Sequence, residues 1–215
     1  MALWDLARRS RIGRPQSPRG VSVTAVAFSP DGRTLAWGVE DGRVLLMRVP
    51  DDNVLYGLAA PGLGASALAF SPDGTTLALA SADGKVQLRD PRTGEVRSRP
   101  AWVAEDGAVI SMSFSPDSSV LATAGSEGSA TLWDVGSGKR IGPPLTGPPS
   151  PAVAAFDPTG HTLATAFQDG TVLLWDVDPA SWRKRACAVA GRRLTPQEWH
   201  DFLPGRPYRP SCGTQ

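Results

Sequence analysis

Cysteine and histidine are nearly absent from this chain. Its 215 residues hold two of each: Cys187 and Cys212, His161 and His200. Two cysteines cannot build a disulfide framework, and a zinc site needs four ligands at tight spacing. Whether Cys187 and Cys212 pair is left open by the sequence. His161 stands in a turn slot that Arg33, Thr75 and Ser119 fill elsewhere in the chain, so it reads as a surface residue. His200 has no serine or cysteine motif to complete a triad. No apolar run approaches the ~20 residues needed to span a bilayer. The start, Met1 to Arg9, lacks the apolar stretch of a secretory leader. The expectation is a soluble, cytoplasmic chain with no membrane partner.

Motifs for nucleotide chemistry are also missing. Gly136-Ser137-Gly138-Lys139 has part of a phosphate-binding loop, but Trp133 stands where its first glycine belongs and Arg140 where it needs Ser or Thr. Gly62-Leu63-Gly64 fails the dinucleotide pattern. Asp51-Asp52 and Glu105-Asp106 are adjacent acids in loops, where solvated charge is the usual state. Basic–aromatic interleaving of the kind found in RNA-binding sheets is lacking. No catalytic, cofactor-binding or metal-binding residue is therefore assigned.

What is present is a repeat. Phe28, Phe70, Phe114 and Phe156 are spaced 42, 44 and 42 residues apart. Each opens a copy of one phrase: AFSPDGRTLAWGVEDGRV, AFSPDGTTLALASADGKV, SFSPDSSVLATAGSEGSA and AFDPTGHTLATAFQDGTV. Val23–Phe28 alternates like a half-buried strand. Ser29-Pro30-Asp31-Gly32 is a turn: proline presets φ, aspartate bonds its own backbone, and glycine takes positive φ. Leu35–Val39 and Val44–Val49 read as strands around Asp41-Gly42, expected to form a type I′ hairpin with positive φ at both positions. Asn53–Leu58 reads as a weaker fourth strand. A period of 40–45 residues with this grammar suits four-stranded propeller blades.

The third strands end in Leu132-Trp133-Asp134 and Leu174-Trp175-Asp176, and Leu3-Trp4-Asp5 fits the same slot. On these residues the chain resembles the WD-repeat β-propellers over about residues 1–177. Met47 and Arg89 replace tryptophan in two blades, and the Gly-His pair that usually precedes the first strand is missing. The family's Asp–His–Ser/Thr–Trp hydrogen-bond network is thus not expected in its usual shape, and apolar packing between blades should carry more of the stability.

After Val177 the pattern changes. Asp178 and Pro179 suit a helix start, with Trp182, Ala186 and Val189 on one face. Thr195-Pro196-Gln197-Glu198 is a capping box, followed by Trp199, Phe202 and Leu203. Trp182, Cys187, Gly191, Leu194, Thr195, Trp199, Tyr208 and Cys212 make this tail similar to the C-terminal extension of bacterial WD-repeat signalling proteins, such as STAND-type NTPases. Residues 178–215 are expected to dock on the last blade.

The sequence predicts an all-β fold. Residues 1–18 form the third and fourth strands of a preceding blade, 19–177 four WD-repeat blades in an open ring, and 178–215 a helical tail. The expected function is a protein–protein interaction scaffold, the C-terminal part of a bacterial signalling protein, and not an enzyme. Its partners would be proteins, upstream blades or a second copy of itself. One rival is phosphopeptide or nucleic-acid binding through the ends: residues 1–20 and 178–215 each carry +4, and with a total of +1 the middle carries −7. The other is a propeller enzyme, which needs a cluster of titratable groups at the central channel.

Overall fold

The computed structural model describes residues 2–12, 20–49, 53–97, 102–104, 107–190, 195–202 and 207. A short antiparallel pair leads: β1 (Leu3–Asp5) and β2 (Ser10–Ile12), with Leu3 opposite Ile12. Four meandering antiparallel sheets follow. Blade 1 is β3 (Val23–Phe28), β4 (Thr34–Val39), β5 (Arg43–Arg48) and β6 (Asn53–Ala59). Blade 2 is β7 (Ala65–Phe70), β8 (Leu77–Ser81), β9 (Lys85–Arg89) and β10 (Trp102–Val103). Blade 3 is β11 (Val109–Phe114), β12 (Val120–Gly125), β13 (Ser129–Asp134) and β14 (Leu145–Thr146). Blade 4 has three strands, β15 (Ala152–Phe156), β16 (Thr162–Phe167) and β17 (Val172–Asp176). Two helices follow among the described residues, α1 (Pro179–Ala190) and α2 (Pro196–Phe202).

The repeat holds in register. Leu35 pairs with Met47, Leu77 with Arg89, Leu121 with Trp133 and Leu163 with Trp175. Side chains alternate between the two faces of each sheet, so a blade has a front toward its predecessor and a rear toward its successor. Rears carry small residues on the first strand and Val or Leu further out. Fronts carry the repeat's Phe and Leu. Each core forms where a rear meets the next front. Ala36, Val44 and Leu46 meet Leu68, Leu77 and Leu79. Val86, Leu88 and Trp102 meet Phe114, Leu121 and Trp133, with Trp102 stacked on Trp133 at 5.3 Å between ring centroids. Ala122 and Leu132 meet Ala154, Leu163 and Phe167. First strands lie side by side along the series, β3 with β7, β7 with β11 and β11 with β15. The four blades form an open arc.

The hairpins differ from expectation. Gly42, Gly84, Gly128 and Gly170 take positive φ, but the acids before them do not. Gly42 N–H donates to the Val39 carbonyl, Gly84 to Ser81 and Gly170 to Phe167. This is a type I turn closed by a left-handed glycine, the three-residue hairpin, rather than the two-residue type I′ turn. The acid stays in ordinary right-handed space and uses its carboxylate instead: Arg43 N–H donates to Asp41 at 3.0 Å and Thr171 N–H to Asp169 at 2.9 Å.

Candidate functional site

Among the described residues, the arc leaves the rear of blade 4 and the first strand on the front of blade 1 exposed. On the third strands, Val44 and Val86 are 0% exposed, Ala130 1%, and the matching Val172 is 60% exposed. In the next column Leu46 is 0% exposed, Leu88 2%, Leu132 3% and Leu174 72%. Val153 on β15, at 50%, belongs to the same rear face. At the other end, Val26 and Phe28 on the front of β3 are 55% and 54% exposed, where Leu68 is 9% and Phe114 7%. The rest of that front is covered: Leu35, Trp37 and Met47 lie between 0% and 3%. The open arc read from the sequence implies uncovered faces at both ends but not which side chains stand bare on them, because the same column is buried in every other blade.

A cleft of about 280 Å³ lies between blades 3 and 4 on the side of the Ser-Pro-Asp turns. Leu132, Ile141, Phe156, Val177 and Trp182 wall it, and Asp117, His161 and Asp178 stand among its polar groups. It exists because α1 replaces a fourth strand after β17. Asp178 caps that helix, accepting from Ala180 N–H at 2.8 Å and Ser181 N–H at 3.3 Å. Trp182 is pinned over the cleft by its indole N–H, which donates to the Asp176 carbonyl at 2.6 Å. Arg185 approaches the Asp176 carboxylate at 4.0 Å. Beyond this first turn Val189 is 84% exposed. The volume lies at the lower edge of the range of small-molecule pockets, roughly 300–1,000 Å³.

The titratable groups are occupied with the turns. Thr159 and the Thr162 backbone hold Asp157 down to about 2; Lys85, then Ser81, hold Asp83 down to about 2. Hydrogen bonds from Ser115, Ser119 and the Ser119 backbone lower Asp117. His161 is exposed on the cleft wall, and His200 is exposed on α2. Gly136–Lys139 is the hairpin between β13 and β14, where Gly138 N–H donates to the Asp134 carbonyl at 2.8 Å. Among the described residues, no group of three or more His, Cys, Asp and Glu side chains is placed to hold a metal ion. Asp51, Asp52, Glu105 and Asp106 lie outside them.

The sequence matches the family model described as WD domain, G-beta repeat, four times, over residues 16–46, 58–90, 99–134 and 145–176. The chain belongs to the WD-repeat family. No curated protein matches it. Part of the family's hydrogen-bond network survives. Trp133 indole N–H donates to Thr123 Oγ1 at 3.0 Å, and Trp175 to Thr165 at 2.9 Å. Blade 1 moves the tryptophan to the other member of this pair, with Trp37 in the threonine position and Met47 in the tryptophan position. In blade 2 Arg89 fills the tryptophan position and donates to the carbonyls of Gly94 at 3.0 Å and Ala59 at 3.3 Å. WD-repeat domains generally mediate protein–protein interaction and are typically non-catalytic scaffolds.

The tail also carries Thr195 and Glu198 in a reciprocal capping box. Thr195 N–H donates to Glu198 Oε2 at 2.8 Å, and Glu198 N–H to Thr195 Oγ1 at 3.2 Å. The side chains of Trp199 and Phe202, and all of Gly191, Leu194, Leu203 and Tyr208, lie outside the described residues. Cys187 is disulfide-bonded; Cys212, the chain's other cysteine, also lies outside them. No helix among the described residues is long and apolar enough to cross a membrane.

Proposed function

We propose that this chain is a scaffold that binds protein through its bare end faces, in a bacterial signalling or regulatory setting. The observation that carries the reading is Leu174 at 72% exposure in a column otherwise held to 3% or less. Apolar surface of this kind is covered in a working protein, at about 25 cal/mol for each Å² removed from water. The bacterial signalling setting rests on the tail's resemblance. In this reading β1 and β2 belong to residues 1–18, the third and fourth strands of a preceding blade, and residues 178–215 are a helical tail that docks on the last blade.

Affinity capture with wild type and Leu174→Lys, compared at low and high salt, tests the function. A partner held by the wild type at both salts and lost by the variant supports it. Binding that collapses with salt and ignores Leu174 supports the rival, nucleic acid or phosphopeptide on the basic ends.

The disulfide at Cys187 favours an oxidising compartment over the expected cytoplasm, since cytosolic thiols are kept reduced. Alkylation of protein purified without reductant decides this: a reactive Cys187 restores the cytoplasm.

A further inference from the structure

We propose that two copies of this chain associate head to tail, the bare rear of blade 4 in one copy packing on the bare front of β3 in the next. The inference rests on the reading that the end faces bind protein, and it names the partner.

The three internal junctions show what each bare face fits. The rear of a first strand carries two small residues: Ala25 and Ala27, Ala67 and Ala69, Ser111 and Ser113. Val153 and Ala155 hold the same two positions on β15, with valine in place of the first small residue, and nothing among the described elements packs on them as β7, β11 and β15 pack on the first three. The front of a first strand carries a larger apolar residue or alanine, then phenylalanine: Leu68 and Phe70, Met112 and Phe114, Ala154 and Phe156. Val26 and Phe28 are the matching pair at the head of the series, exposed at 55% and 54%. The first-strand parts of both halves of one junction therefore stand bare on the same molecule.

The chemistry disfavours charged partners at these strands. β3 reads VTAVAF and β15 reads AVAAF, with no charged side chain on either. A nucleic acid or phosphorylated peptide finds no counter-charge on them. Because β4 and β5 are already covered at Leu35, Trp37 and Met47, the contact centres on the first strands, where the internal junctions also centre. The junction joins two different faces, so two copies either close on each other through a two-fold axis or continue as an open chain.

Light scattering on the full chain tests this with two variants, Phe28→Lys at the head and Val153→Lys at the tail. Both positions are about half exposed, so each variant should keep the wild-type melting temperature to within a few degrees; Val26→Lys replaces Phe28→Lys if that variant does not fold. The wild type is expected at twice the 22.6 kDa of one chain or more. Each variant alone is expected at 22.6 kDa. The equimolar mixture is expected to form a one-to-one dimer, because one variant keeps a good tail and the other a good head. A monomeric wild type, variants that still associate, or a mixture that stays monomeric overturns the proposal. A monomeric wild type that captures another protein through Leu174 overturns self-association and leaves the interaction reading standing.

Discussion

Thr159 donates its hydroxyl proton to the Asp157 carboxylate, the reverse of the bond one blade earlier, where Ser115 donates to Asp117. The turn reads Ser-Pro-Asp in blades 1 to 3 and Asp-Pro-Thr in blade 4, so donor and acceptor exchange places. The work done on the backbone is conserved. Ser115 Oγ accepts from Val120 N–H at 2.9 Å, and Asp157 Oδ1 accepts from Thr162 N–H at 2.8 Å. Asp157→Ser alone should lower the melting temperature, because serine then faces threonine without a carboxylate. Asp157→Ser with Thr159→Asp should restore it. A double variant no more stable than the single one refutes the exchange.

The same carboxylates set the acid limit. Asp83, held by Lys85 and Ser81, and Asp157, held by Thr159 and the Thr162 backbone, titrate at about 2 in the folded chain. In the unfolded chain they titrate near 3.8. Between these values the unfolded state binds the proton and the folded state does not, so stability falls as pH falls. Above pH ~5 the contribution is complete. Melting temperatures measured from pH 6 to pH 2.5 should drop, and Asp83→Asn with Asp157→Asn should flatten the lower part of that curve. An unchanged slope in the double variant contradicts this account.

Much of this was legible in the sequence. The Phe spacing set the strands, the Asp-Pro start and the capping box set both helices, and a count of four blades, with wedge angles suited to seven, pointed to the open arc. The hairpin type was misread because Asp-Gly suits both turns, and the choice depends on the φ of the acid. The open arc already implied uncovered faces on both end blades; the cleft, and which side chains of those faces stand bare, were not legible, because exposure depends on which blade has a neighbour and the local phrase is the same in all four.

Hairpin glycines differ in what surrounds them. Gly84 and Gly170 both take positive φ, at 80° and 89°. A Cβ on Gly84 would stand 2.7 Å from the Gly107 carbonyl oxygen and 2.9 Å from that of Ala104, while one on Gly170 meets nothing within 4 Å. Gly170→Ala should cost about 1–2 kcal/mol, the conformational penalty alone. Gly84→Ala should cost more, because backbone must move as well. Arg92→Ala, on an exposed turn, should stay within about 0.5 kcal/mol of wild type. Denaturant midpoints compare the three, and equal losses at Gly84 and Gly170 would remove the steric part of the argument.

Leu88 and Leu174 occupy the same position of the same strand, two blades apart. Leu88 is 2% exposed, packed with Phe114, Leu121 and Trp133 of the next blade; Leu174 is 72% exposed on the last rear face. Lysine at 88 would bury an ammonium in an apolar junction with no acid in that cluster, and the group would lose its charge or force the junction open. Lysine at 174 points into water when no neighbour is present. Leu88→Lys should therefore abolish cooperative unfolding or cost several kcal/mol. Leu174→Lys should leave the melting temperature of the isolated chain within a few degrees and raise its solubility. The comparison is controlled by the repeat itself, since strand, register and substitution are identical and only the neighbouring blade differs. If Leu174→Lys destabilises the monomer as Leu88→Lys does, the rear of blade 4 is covered in solution and the arc is not open.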